Sequence, residues 1–175
     1  PLLYRQIEAH RGVPIKDIGD GTMAAFASAR RAVAAAREIQ ADVRRLDRDL
    51  PAGERPDGGV ALRIGLHTGE VIAEDGDLHG ETVMIAKRIE GLAPPGGILA
   101  SQTVHGVLGT ARDELVEQGA AELKGIEAEW TLYLVPVLDD EPASGLADGD
   151  PTPYIGRVAE RERLRALLEA AAAGR

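Results

Sequence analysis

Apolar and polar residues follow two different periods along the chain, and each period predicts one kind of element. Residues 28–50 carry apolar side chains three and four positions apart with arginines on the other faces, which predicts an amphipathic helix beginning at the candidate N-cap Ser28. Residues 60–66 instead alternate with period two, as a half-buried strand does. A second helix is predicted over residues 80–92, with Ile85, Ile89 and Leu92 facing inward, and it ends at the prolines and glycines that follow.

Shorter apolar runs predict the remaining elements. Residues 13–18 and 23–26 flank Gly19-Asp20-Gly21 and predict a hairpin, because glycine and aspartate tolerate the positive φ of tight turns. Further strands are predicted at residues 71–73, 98–100, 114–117 and 130–135, with a short helix from Ser101. Residues 1–11 have the spacing of a helix that ends before Gly12. Helices interleaved with hairpins indicate an α+β fold.

The predicted elements form one domain over residues 1–136. Residues 137–153 are acidic and rich in proline, glycine and alanine, with almost nothing to bury, which predicts a linker. Residues 154–175 then begin a new amphipathic helix.

The composition restricts the kind of partner. The formal net charge of −9 argues against a nucleic-acid surface, since binding phosphates requires clustered, uncancelled Lys and Arg. The absence of cysteine removes disulfides, thiolate metal sites and thiol catalysis. No apolar run has the length of a membrane span, and no signal peptide is recognisable. A cytoplasmic protein without membrane contact is therefore predicted.

Two charged residues of the predicted hairpin are candidates for a site. Lys16 lies in its first strand and Asp20 at its turn. Taken alone, Gly-Asp-Gly favours a turn aspartate that bonds its own backbone. Asp17 is predicted to remain a solvated strand carboxylate, and the four histidines show no common spacing that indicates a metal site.

Four segments, in this order, resemble the class III purine nucleotide cyclases, the adenylate and guanylate cyclase catalytic domain. They are IKDIGDGTMAAF (15–26), LRIGLHTGEVI (62–72), GDLHGETVMIAKRIEGLAPPGGILAS (76–101) and ELKGIEAEWTLYLV (122–135). The resemblance implies a ferredoxin-like core and a homodimer with the active site between its subunits. It also implies conversion of a nucleoside triphosphate to a 3′,5′-cyclic monophosphate and pyrophosphate with two Mg²⁺ or Mn²⁺ ions.

The resemblance assigns roles to four residues. Asp20 matches a metal-binding aspartate, and Lys16 matches the lysine that selects adenine, with Asp77 as its carboxylate partner. Arg88 matches the arginine that stabilises the transition-state phosphate. Lys124 is left outside the predicted site because its register is uncertain.

The chain departs from the family pattern at two places. Met84 stands where the family usually has an asparagine that bonds the ribose, and methionine cannot form that bond. No stretch resembling Phe-Thr-Asp-Ile precedes the hairpin, so the family's first strand and first metal aspartate are expected to be missing from this chain. We therefore expect the fragment alone to be inactive and less stable than its parent.

Two hypotheses follow. The first is an adenylate cyclase domain that converts ATP to cyclic AMP in intracellular signal transduction. The second is a domain that has lost catalysis and binds nucleotide or dimerises to control an attached ATPase. Residues 154–175 resemble the helix that leads into the P-loop of signal-transduction ATPases, but the chain contains no GxxxxGK[ST] motif, so no ATPase activity is predicted for it.

Overall fold

A computed structural model describes residues 2–51 and 53–137 of the chain. Helices and strands are interleaved, which confirms the predicted α+β class. In chain order they are α1 (Leu2–Ala9), β1 (Gly12–Ile18), β2 (Gly21–Phe26), α2 (Ala29–Asp49), β3 (Ile64–Leu66), β4 (Ile72–Glu74), β5 (Asp77–His79), α3 (Glu81–Leu92), β6 (Ile98–Ser101), α4 (Gln102–Val107), a 3-10 helix (Gly109–Glu114), β7 (Val116–Glu122) and β8 (Glu129–Leu134). The linker predicted at residues 137–153 lies, apart from Val137, outside the described residues, and so does the helix predicted at 154–175.

A four-stranded sheet in the order β3-β6-β8-β7 forms the centre of the fold. β3 and β6 run parallel, while β6 and β8, and β8 and β7, run antiparallel. The two hairpins β1-β2 and β4-β5 form separate two-stranded sheets. Within the described ranges, no helix combines the length and hydropathy needed to cross a bilayer.

Helices cover both faces of the central sheet, and the inner strand β6 is therefore buried along its whole length. Ile98 and Ala100 pack with Val33 and Ala36 of α2. Leu99, which points to the opposite face, packs against α3. The sheet therefore separates α2 from α3, and the two helices have separate cores.

The hairpin β1-β2 packs against the helices α1 and α2. Ile7 of α1 is 4% exposed and packs with Ile39 and Val43 of α2, and Phe26 of β2 joins this cluster. Gly12 is the first residue of β1, and a Cβ there would lie 2.4 Å from the Phe26 ring. The residue with positive φ after α1 is Arg11, so Gly12 is required by the close ring and not by a turn.

Several sequence predictions need correction at their ends. β3 begins only at Ile64, because the carbonyl of Leu62 accepts hydrogen bonds from Gln40 and from the Gly96 amide instead of entering a ladder. Leu92 is 50% exposed because it is the last residue of α3. Ser28 occupies the N-cap position of α2 without a side-chain hydrogen bond.

Two further differences concern strands. β7 begins at Val116, because Glu114, predicted as the first residue of the strand, ends the 3-10 helix and Leu115 is the C-cap of that helix. β5 was not predicted, since it has three residues and lacks an apolar run.

Candidate active site

The hairpin β1-β2 presents two of the predicted site residues. The chain reverses at Gly19, whose φ of +65° favours glycine, and Asp20 follows on the exposed turn. Lys16 lies in β1 opposite Met23 of β2. Lys16 and Asp20 therefore occupy the same outer half of one hairpin.

Lys16 and Asp77 meet although they lie 61 residues apart in the sequence. The Lys16 Nζ atom donates to Asp77 Oδ2 at 2.5 Å, and the two side chains are 37% and 29% exposed. Asp77 is the first residue of β5, so this pair connects the hairpin β1-β2 to the hairpin β4-β5. Because both side chains are partly exposed, the cation can donate a hydrogen bond to a ligand while the carboxylate accepts one from the same ligand.

The surroundings of Asp77 hold it in the charged form. The hydrogen bond from Lys16 lowers the pKa of Asp77 and outweighs the opposing effect of burial, and the amide of Leu78 and the charges of Lys16 and His79 act in the same direction. The Leu78 amide donates to Oδ1 at 2.7 Å. The carboxylate of Asp77 is therefore an acceptor only, whereas Lys16 is a donor only.

Arg88 lies apart from this pair, in a surface cleft of about 440 Å³ beside α3. Its Nε atom donates to the carbonyl of Lys124 at 3.1 Å, which leaves the terminal nitrogens of the guanidinium for other partners. Four cationic and two acidic residues are among those that line the cleft: Arg63, Lys87, Arg88, Lys124, Glu90 and Glu122. The excess of cationic side chains gives this cleft the charge needed to bind phosphate.

Met84 lies one turn before Arg88 on α3. Its side chain is 56% exposed, so it contributes little to the core beneath the helix. The neighbouring residues Ile85 and Ile89 are 4% and 0% exposed and hold α3 against the sheet. The position is therefore open to a ligand, but methionine offers it only a weak sulfur acceptor.

Asp20 is the one predicted metal ligand. It is exposed, and no hydrogen bond or ion pair joins it to another described residue. Within residues 2–51 and 53–137, no three His, Asp or Glu side chains are grouped to hold a metal ion. A single carboxylate fits Mg²⁺ only if substrate oxygens or further carboxylates complete the coordination.

The structure thus brings Lys16 and Asp77 into contact, places Asp20 at the end of the same hairpin, and puts Arg88 in a separate cleft. Sequence reasoning missed the approach of His79, whose Nε2 lies 3.4 Å from Asp77 Oδ2. It also left Lys124 outside the site, although this residue lines the cleft and its carbonyl binds Arg88. The i, i+2 spacing of Asp77 and His79 would have been a usable signal once β5 was recognised as a strand.

Asp17 is not a free solvated carboxylate, as the sequence had suggested. Although it is exposed, it accepts hydrogen bonds from Tyr4 and Thr22. Both partners lie outside β1, so the pattern of that strand gave no sign of them.

Comparisons with known proteins agree with this architecture. Residues 2–136 match the family model described as the adenylate and guanylate cyclase catalytic domain. The chain is 40% identical over 127 residues to a Rhizobium meliloti (strain 1021) protein named "Putative adenylate cyclase 3", a match that covers 72% of this chain and 21% of that protein. It is 33% identical over 87 residues to the guanylate cyclase soluble subunit beta-2 of Homo sapiens, covering 46% of this chain and 14% of that protein.

Solved structures of adenylate and guanylate cyclases are also similar to this chain. An adenylate/guanylate cyclase/hydrolase from Silicibacter pomeroyi superposes with a TM-score of 0.68 at 31% identity, covering 77% of this chain and 79% of that one. An adenylate cyclase structure from Trypanosoma brucei superposes with a TM-score of 0.63 at 24% identity, covering 77% of each chain, and supports the fold. The chain spans only 21% and 14% of the length of the two relatives named above. It belongs to the family of adenylate and guanylate cyclase catalytic domains.

Proposed function

We propose that this domain is an adenylate cyclase, which converts ATP to 3′,5′-cyclic AMP and pyrophosphate with Mg²⁺ or Mn²⁺. The observation that carries the proposal is the contact between Lys16 and Asp77 at 2.5 Å. It pairs an obligate donor with an ionised acceptor on two adjacent hairpins. The proposal extends to signal transduction inside the cell, where cyclic AMP would be the output.

The pair fits adenine better than guanine. Adenine presents an acceptor at N1 and a donor at its exocyclic amine, so the Lys16 ammonium can donate to N1 while Asp77 accepts from the amine. Guanine presents a donor at N1 and an acceptor at O6, so both contacts would be reversed. With guanine neither contact would form as it does with adenine, so Lys16 and Asp77 would stay bonded to each other and the base would lose both contacts.

Arg88 and Asp20 are proposed to act on the phosphates. In the reaction, the ribose 3′-oxygen attacks the α-phosphorus, the bond from that phosphorus to the bridging oxygen of pyrophosphate breaks, and the 3′-hydroxyl proton is lost to solvent. The guanidinium of Arg88 would bind the charge that builds on the phosphate oxygens. Asp20 would supply a carboxylate to a divalent cation, which when bound polarises the phosphate and lowers the pKa of the hydroxyl.

A homodimer is part of the proposal. Within the described residues, no hydrogen bond or ion pair joins Arg88 to Lys16 or Asp77, and Asp20 is a single carboxylate. A second copy would bring another Asp20 and another Arg88 within reach of the same nucleotide. The complete site would then need both subunits.

The test is nucleotide selectivity of the full-length protein, measured as cyclic AMP from ATP and cyclic GMP from GTP with Mg²⁺ or Mn²⁺. Asp77→Asn keeps the shape of the side chain but adds an amide donor, and we expect it to lower the ratio of kcat/KM for ATP to that for GTP by about tenfold or more. Asp75→Asn is the matched control, because Asp75 lies in the same hairpin at a φ of +51°, which asparagine tolerates. Preference for GTP in the unmodified protein, or an unchanged ratio in Asp77→Asn, would contradict the proposal.

A second function is favoured by one observation, the exposed Met84 on α3. Without a polar group at this position, the domain would bind nucleotide or dimerise without turnover and regulate an attached ATPase. ATP binding measured by calorimetry, with no cyclic nucleotide formed under any of the assay conditions, would select this function over the first.

A further inference from the structure

The outer half of the hairpin β1-β2, residues 16–22, is held by few contacts. The hairpin is a sheet of two strands only, and isolated two-stranded sheets are marginally stable in water. The pairing of the two strands shifts register between Pro14 and Lys16. This shift separates the outer half from the inner half, where Phe26 packs against the core. Residues 17–20 are exposed.

Side-chain hydrogen bonds join this outer half to the rest of the described structure at two places. One is the contact of Lys16 with Asp77, and the other is a bond from Tyr4 of α1 to Asp17. The Tyr4 hydroxyl lies 2.9 Å from both carboxylate oxygens of Asp17 and donates to them. Thr22, which faces Asp17 across the hairpin, donates to Oδ1 at 2.8 Å.

The helix that carries Tyr4 is itself fixed. Arg5 and Gln6 donate to the carboxylate of Asp42 on α2, at 3.0 and 2.6 Å. Ile7 is 4% exposed and packs against α2. Because α1 is anchored in this way, Tyr4 connects the outer half of the hairpin to the body of the domain.

The two contacts respond differently to a nucleotide. The proposed base contacts use Lys16 and Asp77, so each must direct part of its hydrogen-bonding capacity away from the other when ATP binds. The bond of Tyr4 to Asp17 involves neither residue. It can therefore persist in the nucleotide-bound state, when the contact between Lys16 and Asp77 is weakened.

We infer that Tyr4, acting through Asp17 and Thr22, is a positioning residue that holds Lys16 and Asp20 in place for the nucleotide. The hydrogen bond to Asp17 also raises the pKa of Tyr4, with further contributions in the same direction from burial and from the Asp17 charge, as expected for a phenol that donates to a carboxylate. That the hairpin is held by Tyr4 rests on the geometry, whereas the consequence for turnover rests on the proposed function.

The first test measures amide hydrogen exchange of residues 16–22 in the full-length protein without nucleotide. Tyr4→Phe removes only the hydroxyl, and we expect exchange of these amides to become about five- to tenfold faster, with β6 unchanged. Tyr133→Phe is the matched control, because Tyr133 stacks on His105 at 4.0 Å and its hydroxyl bonds no described residue. Exchange in Tyr4→Phe equal to that of the unmodified protein would overturn the inference.

A double-mutant cycle separates this role from a general loss of stability. Asp17→Ala alone should accelerate exchange at least as much as Tyr4→Phe, and the double variant should exchange no faster than Asp17→Ala. Additive effects would mean that Tyr4 acts elsewhere and would overturn the inference. Asp17→Asn, which keeps an oxygen acceptor, should restore most of the slow exchange lost in Asp17→Ala.

Kinetics give the second test. If the hairpin positions the base and the cation, Tyr4→Phe should raise KM for ATP about three- to tenfold and also lower kcat, while Tyr133→Phe changes neither. Faster exchange in Tyr4→Phe, with no cyclic nucleotide formed even by the unmodified protein, would support the positioning role and reject the proposed function. Cyclase activity with unchanged exchange and unchanged KM in Tyr4→Phe would reject the positioning role alone.

Discussion

Replacing Gly65 by alanine should destabilise the domain, because there is no space for one methyl group between β3 and α3. A Cβ at this position would lie 2.3 Å from the Glu90 nitrogen, 2.5 Å from the Ala86 carbonyl oxygen and 2.8 Å from the Glu90 Cα atom. All three are backbone atoms, so no change of rotamer can remove the clash. Helix α3 itself would have to move.

The size of the effect follows from that movement. To reach an ordinary separation of about 3.5 Å, α3 must retreat by roughly 1 Å, and a gap of that size forfeits a quarter to a half of each dispersion contact. The contacts affected include those of Ile85 and Ile89 with Leu99 and Leu132. We expect the free energy of unfolding to fall by about 3 kcal/mol, at the upper end of the usual cost of overpacking. For a domain of this size, that is a large part of the total stability.

Urea denaturation followed by tryptophan fluorescence measures this change directly, because Trp130 is the only tryptophan of the chain and packs beside the same core. Gly91→Ala is the matched control: it makes the same chemical change on α3, where a Cβ meets nothing within 4 Å. It should be neutral or stabilise by up to about 0.5 kcal/mol, since alanine is the better helix former. A midpoint for Gly65→Ala equal to that of the unmodified protein would refute the close packing of β3 and α3.

Three further outcomes are expected. Arg88→Ala should lower kcat for cyclic AMP formation by roughly a hundredfold. Arg112→Ala, which removes an exposed arginine next to Asp113, should leave kcat unchanged. If both variants lost the same share of kcat, Arg88 would not belong to the site. Met84→Asn should raise kcat if the ribose lies against α3, because asparagine can hydrogen-bond the ribose. An unchanged kcat would mean that the ribose binds elsewhere. Burial lowers the pKa of His67 in the folded domain. Below about pH 6.5 the unfolded chain therefore binds a proton at this residue, whereas His67 in the folded domain stays neutral to a lower pH. The free energy of unfolding should therefore fall as the pH drops below this value, and a variant His67→Gln that retained the same dependence would refute the assignment.

The sequence by itself determined most of the elements and their order. The three-and-four spacing of residues 28–50 and the apolar positions Ile85 and Ile89 gave α2 and α3 to within one residue, because a helix repeats its buried face along a single segment. Gly19-Asp20-Gly21 gave the turn of the first hairpin, since a tight turn depends on the local φ of its own residues. Each of these signals is local, so no distant residue was needed to read it.

Other features were decided by the tertiary structure. The start of β3 depends on Gln40 of α2, whose side-chain amide donates a hydrogen bond to the carbonyl of Leu62. The strand β5 has too few residues to show a period and is defined by its partner β4. Neither could be read from the local pattern, because ladder pairing is a property of two segments.

In the candidate site, too, the sequence identified the residues and the tertiary structure decided how they are arranged. The resemblance named Lys16 and Asp77 as partners and singled out Asp20 and Arg88, but no local pattern showed where these residues lie relative to one another. Lys16 and Asp77 approach each other because two short hairpins fold side by side, and Arg88 is placed in a different cleft because α3 packs on its own face of the sheet. The bond of Tyr4 to Asp17 had no sequence signal at all, since it joins a helix to a strand through one hydroxyl. Hydrogen bonds between distant residues depend on positions set by the packed core, and it is the core, not the pattern along the chain, that brings them within 3 Å.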